Sequence, residues 1–444
     1  MSGAAPRTAA AGHADPPAVP HRTGTPRAVA LVHAAAGALA CLALGHTLWH
    51  GLTDPGIALA FGALIAVGEL ARWGAGPPAR GGAAALPGDR ESAPLGVAGA
   101  LAYALLGEVA GRPTAHGVLQ TVAVVVAAGL IGLVPHVALG RGPALDHIAR
   151  RVLTVGFAAT CFQPLYNTGR LAAWIGDGTY YTCYLLGILV LTALCDAVLA
   201  AALARARTGW PYGPLLRDEL RSLLGIGSAI CATGLVIALA TAVAGLWALP
   251  VFCLPLLLTQ FSFRRYAAVR ATYRQTIASL ARATEIAGYT PPGHARRVAV
   301  LSRAVGRELG LGEADLNVLE YAALMHDIGQ LSLVDPVTGG ATAGLPAAEQ
   351  RRIALLGGAV VRQTGAPAEV AVIVERQADP FREQPLPARI VRTVNAYDDL
   401  AGGDGGPGGT LRALERLRLS TAQDFEPRVV EALARVLSRP LAAA

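Results

Sequence analysis

Two short stretches, YTPPGH at residues 289–294 and LMHDIG at residues 324–329, decide the fold of the region around them. His294 closes the first stretch, and His326 and Asp327 lie in the second, 32 residues after His294. Apolar residues recur three and four apart on either side, which predicts that both stretches belong to helices. Two imidazoles and one carboxylate on neighbouring helices are a ligand set for a transition-metal ion. The two stretches therefore predict a metal site between helices.

The composition divides the chain into two parts. Of its 444 residues, 53% are hydrophobic and 15% are charged, which is too apolar for an ordinary soluble protein of this length. Runs of Ala, Leu, Val and Gly fill residues 28–263, whereas residues 264–444 have the Arg and Glu density of a soluble domain. We predict a transmembrane domain at 28–263, preceded by a proline-rich, disordered tail at 1–27.

The apolar part contains about eight stretches near the roughly 20 residues that a helix needs to cross a bilayer. They cover residues 28–50, 56–73, 95–111, 117–140, 150–166, 180–204, 222–246 and 248–263, and six or seven spans remain an alternative because three stretches are short. Loops with many arginines stay on the cytoplasmic side. Alternate loops of this arrangement contain Arg72, Arg80, Arg90, Arg141, Arg150, Arg151, Arg205, Arg207, Arg264 and Arg265. The pattern predicts a multi-pass protein of the cell membrane with cytoplasmic N- and C-termini.

The expected partner of the apolar part is the lipid bilayer. A formal net charge of +7 fits this topology and anionic lipid headgroups, and no basic stripe with interleaved aromatic residues indicates nucleic acid. Glu69, Glu108 and Asp196 fall inside predicted spans, where ionisable groups are candidates for function or for polar contacts between helices.

Residues 264–287 contain neither Gly nor Pro, which predicts a connecting helix that leaves the membrane. Its approximate heptad spacing makes a parallel homodimer a candidate arrangement. The helical period continues through most of residues 288–444, with breaks at Gly and Pro clusters. Predicted helices cover residues 294–309, 313–329, 346–363, 367–377, 386–401, 409–417 and 426–438. We therefore predict an all-α chain, with a polytopic helical membrane domain followed by a cytoplasmic helical bundle.

Five ordered segments of residues 270–438 carry a resemblance: YTPPGHARRV, AALMHDIGQ, EQRRI, LPARIVRTVNAYDDL and FEPRVVEAL. Together they resemble the HD-GYP branch of the HD-domain metal-dependent phosphohydrolases. The resemblance implies an all-helical domain that holds two or three ions, usually iron or manganese, and cleaves the phosphodiester of cyclic di-GMP. An ion in such a site lowers the pKa of water for attack on phosphorus.

Carried over residue by residue, the resemblance gives a divided site. His294 matches the first histidine ligand, and His326 and Asp327 match the histidine-aspartate pair that ligates metal and supports catalysis. Four further ligands are replaced, because the corresponding positions hold Leu356, Glu375, Arg376 and Asn395. Only Glu375 keeps full ligand chemistry, while Asn395 offers a neutral carbonyl oxygen.

Two further departures concern the substrate. Only residues 378–385 separate the Glu375-Arg376 pair from the next segment, so the Gly-Tyr-Pro loop of the branch is missing. Gln330 stands where the resemblance places a lysine, which removes a positive charge facing a phosphodiester. Both departures predict that recognition of cyclic di-GMP is impaired.

The three matching residues leave two alternatives open. His294, His326 and Asp327 could hold one Mn²⁺ or Fe²⁺ ion as an open three-ligand site, or persist as a buried hydrogen-bonded cluster without an ion. Asp398 or Asp399, one turn beyond Asn395, is a candidate fourth ligand, as are Asn395 and Glu375.

We predict an integral membrane signalling protein whose HD-GYP-like domain has lost cyclic di-GMP phosphodiesterase activity and acts as a sensor or interaction module. A cyclic dinucleotide or other phosphoester is the candidate ligand. An alternative is an active single-metal phosphohydrolase on a nucleotide or other phosphoester. A transporter with a regulatory domain is a further alternative, motivated only by the number of spans.

Overall fold

The computed structural model describes residues 26–71, 93–138, 145–176, 178–335, 337, 340–402 and 407–438. The predicted tail at 1–27, apart from its last two residues, and the arginines at 72, 80, 90 and 141 lie outside them. The described part is almost entirely helical, which confirms the all-α prediction. The exception within it is a hairpin of two-residue strands, β1 (Glu108–Val109) and β2 (Arg112–Pro113), in antiparallel register.

The described residues of the N-terminal part form ten helices. They are α1 (Arg27–His50), α2 (Pro55–Leu70), α3 (Pro94–Ala104), α4 (Val118–Ala138), α5 (Leu145–Asn167), α6 (Arg170–Ile175), α7 (Thr179–Thr208), α8 (Tyr212–Ser222), α9 (Ser228–Ala244) and α10 (Ala248–Ile286). A π-helical turn joins α8 to α9, and a 3₁₀ turn joins α9 to α10. The largest apolar cluster of this part draws on α2, α3, α4, α5, α7, α9 and the beginning of α10.

The prediction of about eight spans is not supported. Among the described residues, four helical stretches are long and apolar enough to cross a membrane: Arg27–His50, Val118–Pro135, Thr179–Thr208 and Ser228–Ile286. The helices Pro55–Leu70 and Pro94–Ala104 are apolar but shorter than a bilayer requires. The sequence suggested more spans because apolar runs were counted without knowing where each helix begins and ends.

Of the three carboxylates predicted to lie in spans, two are paired with arginines of α5 and the third is exposed. Glu69 on α2 pairs with Arg151, and Asp196 on α7 accepts a hydrogen bond from Arg150 Nε at 3.0 Å. Both arginines belong to α5, so these ion pairs join three helices, and Arg151 compensates the cost of burying Glu69. Glu108, in contrast, lies exposed on β1 rather than in a helix, because the chain leaves α3 at Leu105.

Helix α10 runs without interruption from Ala248 to Ile286 and contributes to both halves of the chain. Leu249 and Leu256 pack in the apolar cluster of the N-terminal helices, whereas Ile277 packs in the core of the C-terminal helices. The predicted connecting helix at 264–287 is therefore the second part of a longer helix. A displacement of α10 can reach both cores directly.

Where the structure describes the C-terminal bundle, it has seven helices. They are α11 (His294–Glu308), α12 (Glu313–Met325), α13 (Ala347–Gln363), α14 (Ala368–Arg376), α15 (Leu386–Gly402), α16 (Pro407–Leu419) and α17 (Pro427–Ser438). Helix α11 packs between α12, α15 and α17, while α14 packs against α12, α13 and α15. Their buried faces form one apolar core, which fixes the ends of α11 and α12 beside α15.

Candidate metal centre

His294 is placed by the turn that joins α10 to α11. Thr284 O accepts hydrogen bonds from the backbone N–H groups of Tyr289 and Thr290, which reverses the chain after α10. Gly293 then adopts a φ of +74°, a left-handed conformation that favours glycine. The next residue, His294, begins α11 and is buried. The Pro-Pro-Gly segment thus fixes the start of α11 and the position of its first side chain.

His326 and Asp327 are placed by the end of α12. His326 follows the last residue of the helix, and Asp327 precedes a 3₁₀ turn at Ile328–Ser332. Gly329 in this turn contacts α13 so closely that a Cβ there would lie 2.0 Å from Ile353 O. A larger residue at position 329 would push the turn away from α13 and move the two ligand side chains with it.

The three side chains meet at one point. His294 Nε2 lies 3.3 Å from His326 Nε2 and 3.3 Å from Asp327 Oδ2, and His326 Nε2 lies 3.2 Å from the same oxygen. The side chains are only 2%, 1% and 6% exposed, respectively. In the part of the chain that the structure describes, this is the group of His, Cys, Asp and Glu side chains that could hold a metal ion.

The hydrogen bond at Nδ1 of each imidazole fixes the tautomer, and therefore whether Nε2 presents a proton or a lone pair to the centre of the cluster. His294 Nδ1 lies 2.7 Å from Asp398 Oδ2, and His326 Nδ1 lies 2.8 Å from Ala323 O. A carboxylate and a carbonyl oxygen only accept, so each Nδ1 carries the proton. In neutral imidazoles, both Nε2 lone pairs then point towards Asp327, as in metal-bound histidines that donate their other N–H to an oxygen.

This arrangement concentrates electron-rich atoms. Asp327 Oδ2 is buried, and neither Nε2 atom makes a well-aligned hydrogen bond with it. Burial opposes protonation of His294, but Asp327 and Asp398 outweigh it and raise the pKa of His294 to about 10. Burial would raise the pKa of Asp327, but the two imidazoles outweigh it and hold that pKa well below its usual range. The cluster thus favours a positive charge at its centre, which a proton or a metal ion supplies.

The geometry of the cluster fits a metal ion. Ligand atoms about 2.1 Å from an ion lie about 3.0 Å apart at right angles and about 3.4 Å apart in a tetrahedron. The three separations of 3.2–3.3 Å fall between these values. One carboxylate oxygen and two imidazole nitrogens suit Mn²⁺, Fe²⁺ or Zn²⁺. HD domains usually bind divalent metals, and the His-His-Asp cluster is a candidate for that role.

Asp398 lies on the outer side of the His294 ring rather than beside Asp327. Besides His294, it binds Arg297, whose Nε and Nη2 atoms donate to Oδ1 and Oδ2 at 2.9 and 2.8 Å. The structure therefore gives Asp398 the position of a residue that orients His294, not that of a fourth ligand. Its neighbour Asp399 accepts a hydrogen bond from the backbone N–H of Ala343 at 3.2 Å. Burial and the charge of Asp327 raise the pKa of Asp399 to about 6.

Asn395 and Gln330 direct their amide groups to the segment around Thr342. Asn395 Nδ2 lies 3.1 Å from Thr342 Oγ1, and Gln330 Nε2 donates to Gly340 O at 3.4 Å. The amide oxygens of both side chains are buried without a protein donor. Asn395 is not part of the three-residue cluster.

The other altered positions have contacts of their own. Glu375 forms a two-point ion pair with Arg362 on α13, and one of its hydrogen bonds measures 2.6 Å. Arg376 contacts Asp379 and donates to Glu383 O. Leu356 is half-buried on α13. None of the three belongs to the cluster of His294, His326 and Asp327.

Sequence reasoning missed Arg297 and the carbonyl of Ala323. Both lie three residues from a histidine of the cluster, so the helical period could have indicated that they share its face. Which polar group they contact depends on the packing of α15 against α11, which one sequence does not reveal.

Comparisons with known proteins give one finding. No curated protein and no solved structure matches the chain significantly. Residues 293–399 match the family model described as HD domain. The match begins one residue before His294 and ends at Asp399, so it includes the three cluster residues and the helix that orients them. It supports assignment of this segment of the chain to the HD superfamily.

Proposed function

We propose that the chain is an integral membrane signalling protein whose HD domain binds one divalent metal ion and has lost cyclic di-GMP phosphodiesterase activity. In this proposal residues 28–263 form the membrane domain, 264–287 continue as the connecting helix, and 288–444 form an HD-GYP-like domain in the cytoplasm. The four long apolar helices and the HD match support the two parts of the proposal. Cytoplasmic termini follow from the arginine pattern.

The observation that carries metal binding is the orientation of the two imidazoles. Their Nδ1 protons are engaged by Asp398 and Ala323 O, so both Nε2 atoms face a buried carboxylate oxygen with which neither makes a well-aligned hydrogen bond. An arrangement that only packed two helices together would pair donors with acceptors. His294, His326 and Asp327 would hold the ion, and Asp398 would orient His294.

Two observations support loss of phosphodiesterase activity. The positions of four expected ligands are occupied by Leu356, Glu375, Arg376 and Asn395, and Glu375 and Arg376 are engaged in other contacts. In addition, the three remaining ligand side chains are 94% or more buried, which leaves little room for a phosphodiester. The domain would then act through its conformation, with a cyclic dinucleotide or other phosphoester as candidate ligand.

A single-metal phosphohydrolase is the second candidate, favoured by the intact His-His-Asp cluster. A bound Mn²⁺ or Fe²⁺ ion would supply Lewis acidity towards a phosphoester. His326 and Asp327 would be the residues that hold it in place for catalysis. The burial of the cluster counts against this candidate.

The test uses the full chain in lipid nanodiscs, loaded with Mn²⁺ or Fe²⁺ and desalted before elemental analysis. We expect about one ion per chain, loss of that ion in His326→Ala, and full retention in the control His50→Ala, which changes an exposed histidine of α1. Chromatography of cyclic di-GMP incubated with the loaded protein should show no turnover.

Two results would overturn the proposal. Absence of bound metal in the loaded wild-type chain would remove the metal centre. Hydrolysis of cyclic di-GMP that disappears in His326→Ala would remove the loss of activity. Metal-dependent hydrolysis of a simpler phosphodiester, with cyclic di-GMP left intact, would instead favour the second candidate.

A further inference from the structure

Helix α8 packs against α7 and also contacts the turn between α11 and α12 of the C-terminal bundle. It follows α7 after Gly209, which has a φ of +71° and turns the chain. Trp210, just after this turn, packs against the core of the C-terminal bundle. The guanidinium of Arg307, near the end of α11, lies 5.6 Å from the centre of the Trp210 ring, within the range of a cation–π contact.

A second contact involves the turn between α11 and α12. A Cβ on Gly312 would lie 3.1 Å from Arg221 Nη1 and 3.4 Å from Asp218 Oδ1, so two side chains of α8 reach this turn. Burial and the charge of Glu313 raise the pKa of Asp218, as expected for a carboxylate enclosed between α8 and the start of α12. Helix α8 therefore contacts the turn through both polar and aromatic groups.

Helix α12 is also contacted by α10. Glu320, in the middle of α12, lies 3.8 Å from Arg274 of α10 and accepts a hydrogen bond from Arg303 of α11 at 2.8 Å. At its beginning, Glu313 accepts a hydrogen bond from Arg307 at 2.9 Å. The thirteen residues of α12 span about 20 Å, and His326 follows the last of them. One short, rigid helix thus extends from the α8 contact to the metal centre.

Helices α7 and α10 lead to the two contacts on α12, and they are hydrogen-bonded to different helices of the N-terminal part. Asp146 on α5 accepts a hydrogen bond from Arg207 of α7 at 2.6 Å, close to the turn into α8. In α10, Gln260 donates to Gly68 O at 3.0 Å and Arg264 donates to Ala71 O at 3.2 Å, both at the end of α2. Consequently α7 is tied to α5 and α10 is tied to α2, while the Glu69–Arg151 pair connects α2 with α5.

We propose that α12 regulates the metal centre. The pair α5 and α7 acts on α12 through α8, and the pair α2 and α10 acts on it through α10. A displacement of one pair relative to the other therefore moves α12. The proposal rests on the proposed function, because it assigns a regulator to the same site. Movement of α7 and α8 acts at the start of α12, and movement of α10 acts at its middle. Since α12 is rigid, either displacement shifts His326 and Asp327 relative to His294 on α11.

The experiment compares amide hydrogen exchange in the full chain in nanodiscs. Trp210→Ala removes the aromatic contact with Arg307 of α11, and Gly312→Leu pushes Arg221 and Asp218 of α8 away from the turn before α12. Arg217→Ala, which changes an exposed residue of α8, is the control. For both interface variants we expect exchange roughly tenfold faster at 310–325 and also at 326–328, with 386–400 unchanged. Arg217→Ala should match the wild type.

Three outcomes would overturn the proposal: unchanged exchange in both interface variants, faster exchange that stops before residue 323, or the same acceleration in Arg217→Ala. Agreement between the two variants guards against misfolding of one, because they alter opposite sides of the contact. Metal content, measured on the same samples, separates the two proposals. A wild-type chain without metal would contradict the proposed function, while exchange at 323–328 would still decide whether α8 reaches this end of α12.

Discussion

The half of the candidate metal centre on α11 and α12 presents three ligand atoms to one point, whereas the half on α13 and α14 presents none. On the first half, each imidazole donates its Nδ1–H to an oxygen and directs its Nε2 towards a carboxylate oxygen. On the second half, Glu375 is paired with Arg362, and Gly358 makes room for its side chain, since a Cβ there would lie 2.0 Å from Glu375 Cγ. The second half therefore stabilises the domain through packing and an ion pair.

Under the proposed function, this contrast means that part of a ligand set is replaced while the scaffold is kept. Gly329 still contacts Ile353 and Gly357 of α13, so α13 keeps the turn after Asp327 in place even though Leu356 cannot bind a cation. The remaining cluster needs only α11, α12 and the orienting helix α15.

The largest effect is expected for Asp327→Asn. This change removes the only negative charge among the three cluster residues and leaves two imidazoles with a neutral amide. We expect Mn²⁺ affinity to fall by roughly a thousandfold or more, because a charged group that touches the ion contributes more than a residue that only orients a ligand. Titration calorimetry of the full chain measures it. An affinity within tenfold of the wild type would show that Asp327 is not a ligand.

The sequence was sufficient for much of the C-terminal bundle. Helices predicted at 294–309 and 313–329 correspond to α11 and α12, because apolar residues recur with the helical period on both. The predicted number of spans is not supported, because hydropathy does not reveal that α2 and α3 are shorter than a bilayer requires. The position of Asp398 was also beyond reach, since spacing on α15 does not indicate which side of His294 it meets.

A smaller effect is expected for Asp398→Asn. The amide can no longer fix the Nδ1 proton of His294 as a carboxylate does, and Arg297 loses its charged partner. We expect Mn²⁺ affinity to fall by about 10-fold to 100-fold, the usual range for the partner of a metal-bound histidine. The control Asp315→Asn changes an exposed carboxylate at the start of α12 and should leave affinity unaltered. If the Mn²⁺ affinity of Asp398→Asn equals that of the control, the contact between Asp398 and His294 does not contribute to metal binding.

The next prediction concerns pH. The pKa of His294 is raised to about 10, so near neutral pH the metal-free cluster carries a proton that an ion must displace. Affinity should therefore rise by about tenfold per pH unit from pH 6 towards pH 9, and level off as the pH approaches the raised pKa. Calorimetry in buffers with different ionisation enthalpies measures the released protons. Binding that is independent of pH would mean that no proton occupies the cluster.

The smallest effect is expected on the second half of the centre. Glu375→Gln removes the charge that pairs with Arg362 but keeps the shape of the side chain beside Gly358. Because Arg362 is exposed, solvent and salt already screen this pair, and its loss should change the melting temperature only slightly. Mn²⁺ affinity should stay within about twofold of the wild type, since Glu375 is not part of the cluster. A tenfold loss would place Glu375 among the ligands and show that the two halves still act as one site.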